Sequence, residues 1–398
     1  MVVVDKRVAR AGMAIFQGLL VLGVYGFALS LLLDVGLYRL SLYLCSAAIL
    51  GLALSSSPPL RVGRPTLALL GVGLIFLVQG WAMADGPIGG HFDHALAWSM
   101  VAVLAIVLLP PRASRQFNHE SALAWLLLAF VAAQVEQSLL HPRLHYGLFH
   151  NIHHLALYSA MTLPVLYYLA RDAKGAMRWW LVAALAGDLF LLLKTQSRPG
   201  YLALLAAALV VVPFLSSRIR WLTLAGTVAI PSALYFSGLF GFAARINDLV
   251  VNFAKEERPL IWKETLAIQM RSSWREWWFG HGLGQFYENY RAAPSYNYED
   301  HFSSPHNYLL DLLYSHGLTG LALLIVAYVL LYRNIIASLS ASRDAEYRRL
   351  GILIVSIVTA QLVMGFLTVP FFSRHNLYPL ALILGASMKY ISDNRRHA

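Results

Sequence analysis

The chain is a near-unbroken succession of apolar runs, each long enough to cross a bilayer and all but one pair separated by a short polar connection. A membrane helix needs about 20 mostly apolar residues, with roughly 17 to 25 acceptable. Such runs lie at 11–33, 37–56, 65–84, 94–110, 121–140 and 152–170 in the first half, and at 178–194, 199–215, 219–240, 307–332, 349–370 and 375–392 in the second. They predict an all-α, polytopic membrane protein with about twelve transmembrane helices. Only 13% of residues are charged, against about 25% in soluble domains, so lipid is the main solvent. The first run follows Lys6, Arg7 and Arg10. It is too long for a signal-peptide core and no small-x-small cleavage pattern follows, so it reads as the first span.

Orientation follows from the bias of Lys and Arg toward cytoplasmic loops. With the N-terminus inside, the inside connections and tails hold nineteen basic residues and the opposite short loops hold five: Arg39, Arg143, Lys194, Arg198 and Arg374. Both termini are then cytoplasmic. The remaining seven lie in 244–305, the one long polar stretch, which becomes a large periplasmic loop between spans nine and ten of a single integral-membrane domain covering 1–398. Long loops cross regardless of charge; the alternative is that these cations meet an anionic ligand. The net charge of +11 is spread over short clusters rather than one face, which argues against nucleic acid. The single cysteine, Cys45, excludes an internal disulfide framework. No nucleotide-binding glycine loop is present.

The most distinctive local pattern is HNYLLDLLYSHGLTG, residues 306–320. Ser303-Ser304-Pro305 reads as a turn, and the helix that follows enters the membrane. His306 is thereby held at the outer surface on a helix end. A neutral imidazole there can take a proton from a hydroxyl; the plainer reading is a histidine that caps the helix. Arg198, in QSRPGYLAL (196–204), sits outside at a helix start marked by Pro199. Guanidinium and free helix N–H groups both attract phosphate, although an interfacial arginine also snorkels to headgroups. ERPLIWKETLAIQM (257–270) is an amphipathic helix candidate, with Trp262, Leu266 and Met270 at helical spacing.

His306-Asn307, nine residues, Gly317, two residues and Gly320 together resemble the signature of bacterial O-antigen ligases (WaaL), in a superfamily with O-antigen polymerases and protein O-oligosaccharyltransferases. The twelve spans and the outward loop ending on the motif resemble that family's anatomy. The resemblance implies a GT-C-like glycosyltransferase that moves a glycan from undecaprenyl pyrophosphate to a sugar hydroxyl of lipid A-core. It implies metal-independent inverting displacement, without cofactors, at a periplasmic site in the inner membrane. His306 would be the catalytic base. Arg198 and Arg258 would bind the donor diphosphate, with Arg271, Asn307 and His301 as secondary candidates. Pro199 departs from the glycine or alanine common at that place in the family. The segment FGHGLGQF (279–286) also resembles the family, and its glycines read as backbone turns.

Other features carry weaker expectations. Tyr287, Tyr290, Tyr296 and Tyr298 suit sugar stacking or an interface belt. His150, His153 and His154 share a helix face, but the only nearby acid is Glu136, so a polar rim is favoured over a metal site. Asp188 reads as an intramembrane ion-pair partner of Lys194 or Arg198. Asp311 lies about 140° around the helix from His306 and is a poor orienter for it. A transporter is the competing class; it predicts related halves and broken helices, and neither is visible in the sequence.

Overall fold

The computed structural model describes residues 119–141, 145–149, 151–252, 257–292 and 302–371, with scattered positions in 18–48, at 78 and in 373–391. Among the described residues there are helices and no strand. In chain order the helices are α1 (His119–Leu140), α2 (Ile152–Asp172), α3 (Gly175–Lys194), α4 (Arg198–Val211), α5 (Ser217–Ser237), α6 (Phe242–Asn252), α7 (Glu257–Arg271), α8 (Trp274–Phe279), α9 (Phe286–Arg291), α10 (Tyr308–Ala341) and α11 (Ala345–Leu367). Five of them, α1, α3, α5, α10 and α11, are long and apolar enough to cross a membrane, and Arg198–Phe214 is a shorter apolar helix. These six coincide with expected spans. The expected spans 65–84 and 94–110 fall outside the described residues apart from position 78, and those at 11–33, 37–56 and 375–392 are described only in part.

The run at 152–170 forms α2 but is not apolar enough to count among the five. It carries His153, His154, Tyr158, Tyr167 and Tyr168, and it is the most enclosed helix, with twelve of its 21 residues buried. Its neighbours are protein, so its composition follows the bundle interior rather than lipid. α3, α4 and α11 pack around it, and α5, with no buried residue, is the opposite case. At one end of the bundle Arg349 holds both carboxylate oxygens of Asp172 at 2.8 and 2.9 Å. The start of α11 and the end of α2 therefore meet there. The basic connections around Arg171 and Arg348 lie at this end, and His306 lies at the other.

The expected pairing of Asp188 with Lys194 or Arg198 does not form. Asp188 accepts a hydrogen bond from Thr162 on α2. Lys194 donates to the carbonyl and hydroxyl of Ser138, both at 2.6 Å, and Arg198 pairs with Asp248. A hydroxyl one helix away serves one oxygen of the buried carboxylate without bringing a second charge into the bundle.

The 34 residues of α10 would run ~51 Å if straight. They do not. Gln361 on α11 donates to the Tyr308 hydroxyl at 2.7 Å and accepts from the Tyr328 hydroxyl at 3.1 Å. Two tyrosines twenty positions apart, ~30 Å along a straight helix, reach one amide only if the helix folds back between them. The break is at Gly317, whose backbone (φ 62°, ψ −164°) leaves the helical region. This is a broken helix, a feature the sequence reading did not find.

Breaking the helix frees carbonyls that need new donors. The backbone N–H groups of His281 and Gly282 supply them, reaching the carbonyls of Tyr314 and Ser315 at 2.8 and 3.1 Å. The crossing is tight in both directions. A Cβ on Gly280 would meet the Ser315–His316 peptide at 2.3 Å, and one on Gly317 would meet the Trp278 carbonyl carbon at 2.4 Å. Gly284 has a positive φ close to that of Gly280 (81° against 79°) but open space around it. Gly284→Ala should therefore cost only the backbone strain, about 1–3 kcal/mol. Gly280→Ala should cost more, because backbone must move as well. Thermal unfolding in detergent tests the ranking, and equal losses would count against the crossing.

Candidate active site

The site starts from the turn before α10. Pro305 accepts a hydrogen bond from the Trp262 indole at 3.0 Å, which ties the turn to α7. His306 then takes φ +52°, a left-handed conformation uncommon for a residue with a side chain. Asn307 is the N-cap: its Oδ1 accepts from the N–H groups of Leu309 and Leu310 at 2.9 and 3.1 Å. Its Nδ2 donates to the Phe366 carbonyl at 2.8 Å, at the end of α11. Asn307 therefore fixes two helix ends to each other, and His306 is turned out between them.

The His306 ring is oriented by that same helix end. Its Nδ1 lies 3.1 Å from the Thr368 carbonyl. A carbonyl only accepts, so Nδ1 carries the proton and Nε2 carries the lone pair. Burial lowers the imidazole below the usual histidine value; the Thr368 carbonyl pulls it up, and the charge of Arg258 lowers it further. The group is thus a neutral ring with an accepting nitrogen. Phe302 packs edge-on against it with ring centres 5.7 Å apart. Asp311 takes no part in orienting it: its carboxylate accepts from the Phe371 N–H at 2.8 Å.

Arg258 is in the first turn of α7, one turn before Trp262. One helix thus delivers both a cation and the support for the histidine turn. Arg258 Nη2 lies 3.0 Å from His153 Nε2, and His153 Nδ1 lies 3.3 Å from the Ser197 hydroxyl. Ser197 caps α4, accepting from the Gly200 N–H. Arg198 follows it and is held by Asp248 of α6 at 2.9 Å. Arg245, also on α6, donates to Gln196 at 3.2 Å, and its charge acts on His153.

The structure thus gathers His306, Asn307 and Arg258, and reaches the Arg198 segment through His153 and Ser197. Arg271 is at the far end of α7, thirteen positions from Arg258 or ~20 Å along the axis, and it is not brought to this place. His301 lies outside the described residues. Two further residues were missed. His153 was read as part of a polar rim, and Arg245 was not singled out; their partners are remote in sequence. Of the histidines weighed for metal, His150 is outside the described residues, and the His154 ring stacks on His375 with centres 4.1 Å apart.

The segment 257–291 is a set of short helices folded over the bend. Ile261, Phe286, Tyr290 and Tyr314 form its own small core. Tyr290 is buried there, stacked on Phe286, so it is not a sugar platform. Tyr296 and Tyr298 lie outside the described residues. The α7 face that carries Ile261, Thr265 and Gln269 is the buried one, while Leu266 and Met270 are exposed. Trp262 does not join those two, because its indole turns inward to Pro305. Between this segment and the bundle is a cavity of about 410 Å³, lined by His153, His306, Gly284, Ser303, Asp311 and Ser373 among others. Such a volume suits one or two sugar-sized groups.

Asn307→Ala should cost about 2 kcal/mol, a cap of ~1 plus a buried hydrogen bond of ~1. Asn307→Asp keeps the cap but sets a carboxylate oxygen against the Phe366 carbonyl in a buried place, so it should be no more stable than alanine in thermal unfolding. An alanine variant as stable as wild type would remove the anchoring role.

A family model described as O-Antigen ligase matches residues 181–325, a stretch that contains Arg198, Arg258, His306 and Asn307. No curated protein matches the chain. The match supports the O-antigen ligase superfamily, which takes in ligases and polymerases alike.

Proposed function

We propose that the protein is an O-antigen ligase, transferring a glycan from undecaprenyl pyrophosphate to a sugar hydroxyl of lipid A-core. The observation that carries this reading is the His306 tautomer: Nδ1–H is committed to Thr368, so Nε2 is ready to accept a proton beside Arg258. In the proposed step the acceptor hydroxyl oxygen attacks the anomeric carbon of the donor sugar. The bond from that carbon to the diphosphate oxygen breaks, and its electron pair leaves with undecaprenyl pyrophosphate. The hydroxyl proton passes to His306 Nε2, and direct displacement inverts the anomeric centre. Arg258 and Arg198 would stabilise the charge growing on the leaving group. Arg198 must exchange the Asp248 carboxylate for the phosphate to do so. The energy resides in the donor's glycosyl phosphate bond, so these residues need no metal or nucleotide.

The His306 end would face the periplasm, since the opposite end carries the Arg171–Arg178 and Arg343–Arg349 connections favoured in the cytoplasm. A polymerase would use the same residues with a second lipid-linked glycan as acceptor, and a protein O-oligosaccharyltransferase would take a protein hydroxyl. The broken α10 is a feature shared with transporters. Here its freed carbonyls are closed by the glycine segment rather than opened toward an ion, which favours the enzyme.

The test is purified protein in nanodiscs with lipid-linked glycan, offered lipid A-core, a second lipid-linked glycan and a protein acceptor side by side. Joined glycan on lipid A-core is expected; product only on another acceptor would reassign the reaction, and flux without product would defeat it. His306→Ala should lower kcat by at least 10²-fold, the scale of a lost general base, with the fold intact. Since the base acts when neutral and its pKa is lowered, activity should hold as pH falls and be lost only below 6.5, the ordinary histidine value. Arg258→Lys should raise the donor KM, because an ammonium does not fork onto a diphosphate; an unchanged KM would count against it.

A further inference from the structure

His153 takes no part in the proton transfer proposed above, yet it joins the segments that carry the two arginines. A guanidinium has donors only, so His153 Nε2, 3.0 Å from Arg258 Nη2, must present its lone pair. The ring is then neutral with its proton on Nδ1, directed at the Ser197 hydroxyl 3.3 Å away. Ser197 is itself fixed as the cap of α4. The hydrogen bonds therefore run in one direction, from Arg258 through the imidazole to Ser197.

We propose that His153 is the positioning residue for Arg258, a neutral acceptor that orients the guanidinium toward the diphosphate of a lipid-linked donor. The proposal rests on the diphosphate reading of the site. Its physical basis is the order of those hydrogen bonds. Arg198 is held by the Asp248 carboxylate. The His153 contact adds no charge of its own and fixes a side chain that carries about 2 kcal/mol of rotamer entropy. His153 and His306 line the same cavity, so the oriented arginine stands beside the space where the base acts.

Two isosteres separate this role from a structural one. His153→Gln brings an amide oxygen near the Nε2 position, keeping an acceptor for Arg258 and losing the bond to Ser197. His153→Asn brings an amide N–H near the Nδ1 position, keeping Ser197 and losing Arg258. The experiment measures farnesyl diphosphate binding to the full-length protein in nanodiscs, alongside donor KM and kcat for glycan transfer. Asparagine should weaken farnesyl diphosphate binding about ten-fold, the scale of one charge-assisted hydrogen bond, and raise donor KM more than it lowers kcat. Glutamine should recover most of both. In an Arg258→Ala background the asparagine change should add nothing. The reverse ranking, with glutamine defective and asparagine normal, assigns His153 to the α4 cap and overturns the proposal, as do additive losses with Arg258→Ala. If asparagine abolishes the melting transition, glutamine decides alone: retained binding supports the role and lost binding overturns it. Wild-type protein that binds no farnesyl diphosphate removes the diphosphate reading and this inference with it. Normal wild-type binding with an indifferent asparagine variant removes only the inference.

Discussion

A helix that breaks near lipid must find partners for the carbonyls it releases, and here the partners are two backbone N–H groups from a chain segment more than thirty residues upstream. The remaining arrangement depends on that exchange. Without it α10 would run straight, Tyr308 and Tyr328 would not meet at Gln361, and the His306 turn would stand away from the end of α11. The two glycines at the crossing are required because the backbones touch where side chains would otherwise be. The apolar surface of α10 and the aromatic, glycine-rich segment 274–286 are thereby joined through main chain, which no change of side chain elsewhere can replace.

The site applies two kinds of restraint to its charged and titratable groups. His306 is oriented by a carbonyl, which fixes its tautomer. Arg198 is restrained by a carboxylate and Arg258 by a neutral ring. A carbonyl and an imidazole orient without altering charge, whereas a carboxylate holds its arginine by partly cancelling it.

Much of this was legible in the sequence because it depends on local pattern. Apolar run length gave the helices that could be compared, and Ser303-Ser304-Pro305 before His306-Asn307 gave a helix start, although the cap is Asn307 and not the histidine weighed for it. Gly317 and Gly320 were recognisable as a motif, but the bend at Gly317 was not, since the reason for it is the Gly280 backbone. The pairing of Asp188 failed for a related reason. Spacing along one helix suggested Lys194, whereas the nearest polar group is Thr162 on a neighbouring helix. His153 and Arg258 are 105 positions apart, and no periodicity connects them. Legibility ended where contacts ceased to be local.

His306 and Asn307 both bond to the last turn of α11, through Thr368 and Phe366. The height of the imidazole is therefore set by a helix of bilayer length rather than by a loop. A lipid-anchored donor would take its own height from the same bilayer. In a thicker or thinner membrane the helix end and the headgroup plane shift together, so the distance between imidazole and substrate is buffered against the difference. The two-bond attachment would give the site of the proposed enzyme a common datum with a donor that arrives from within the membrane plane.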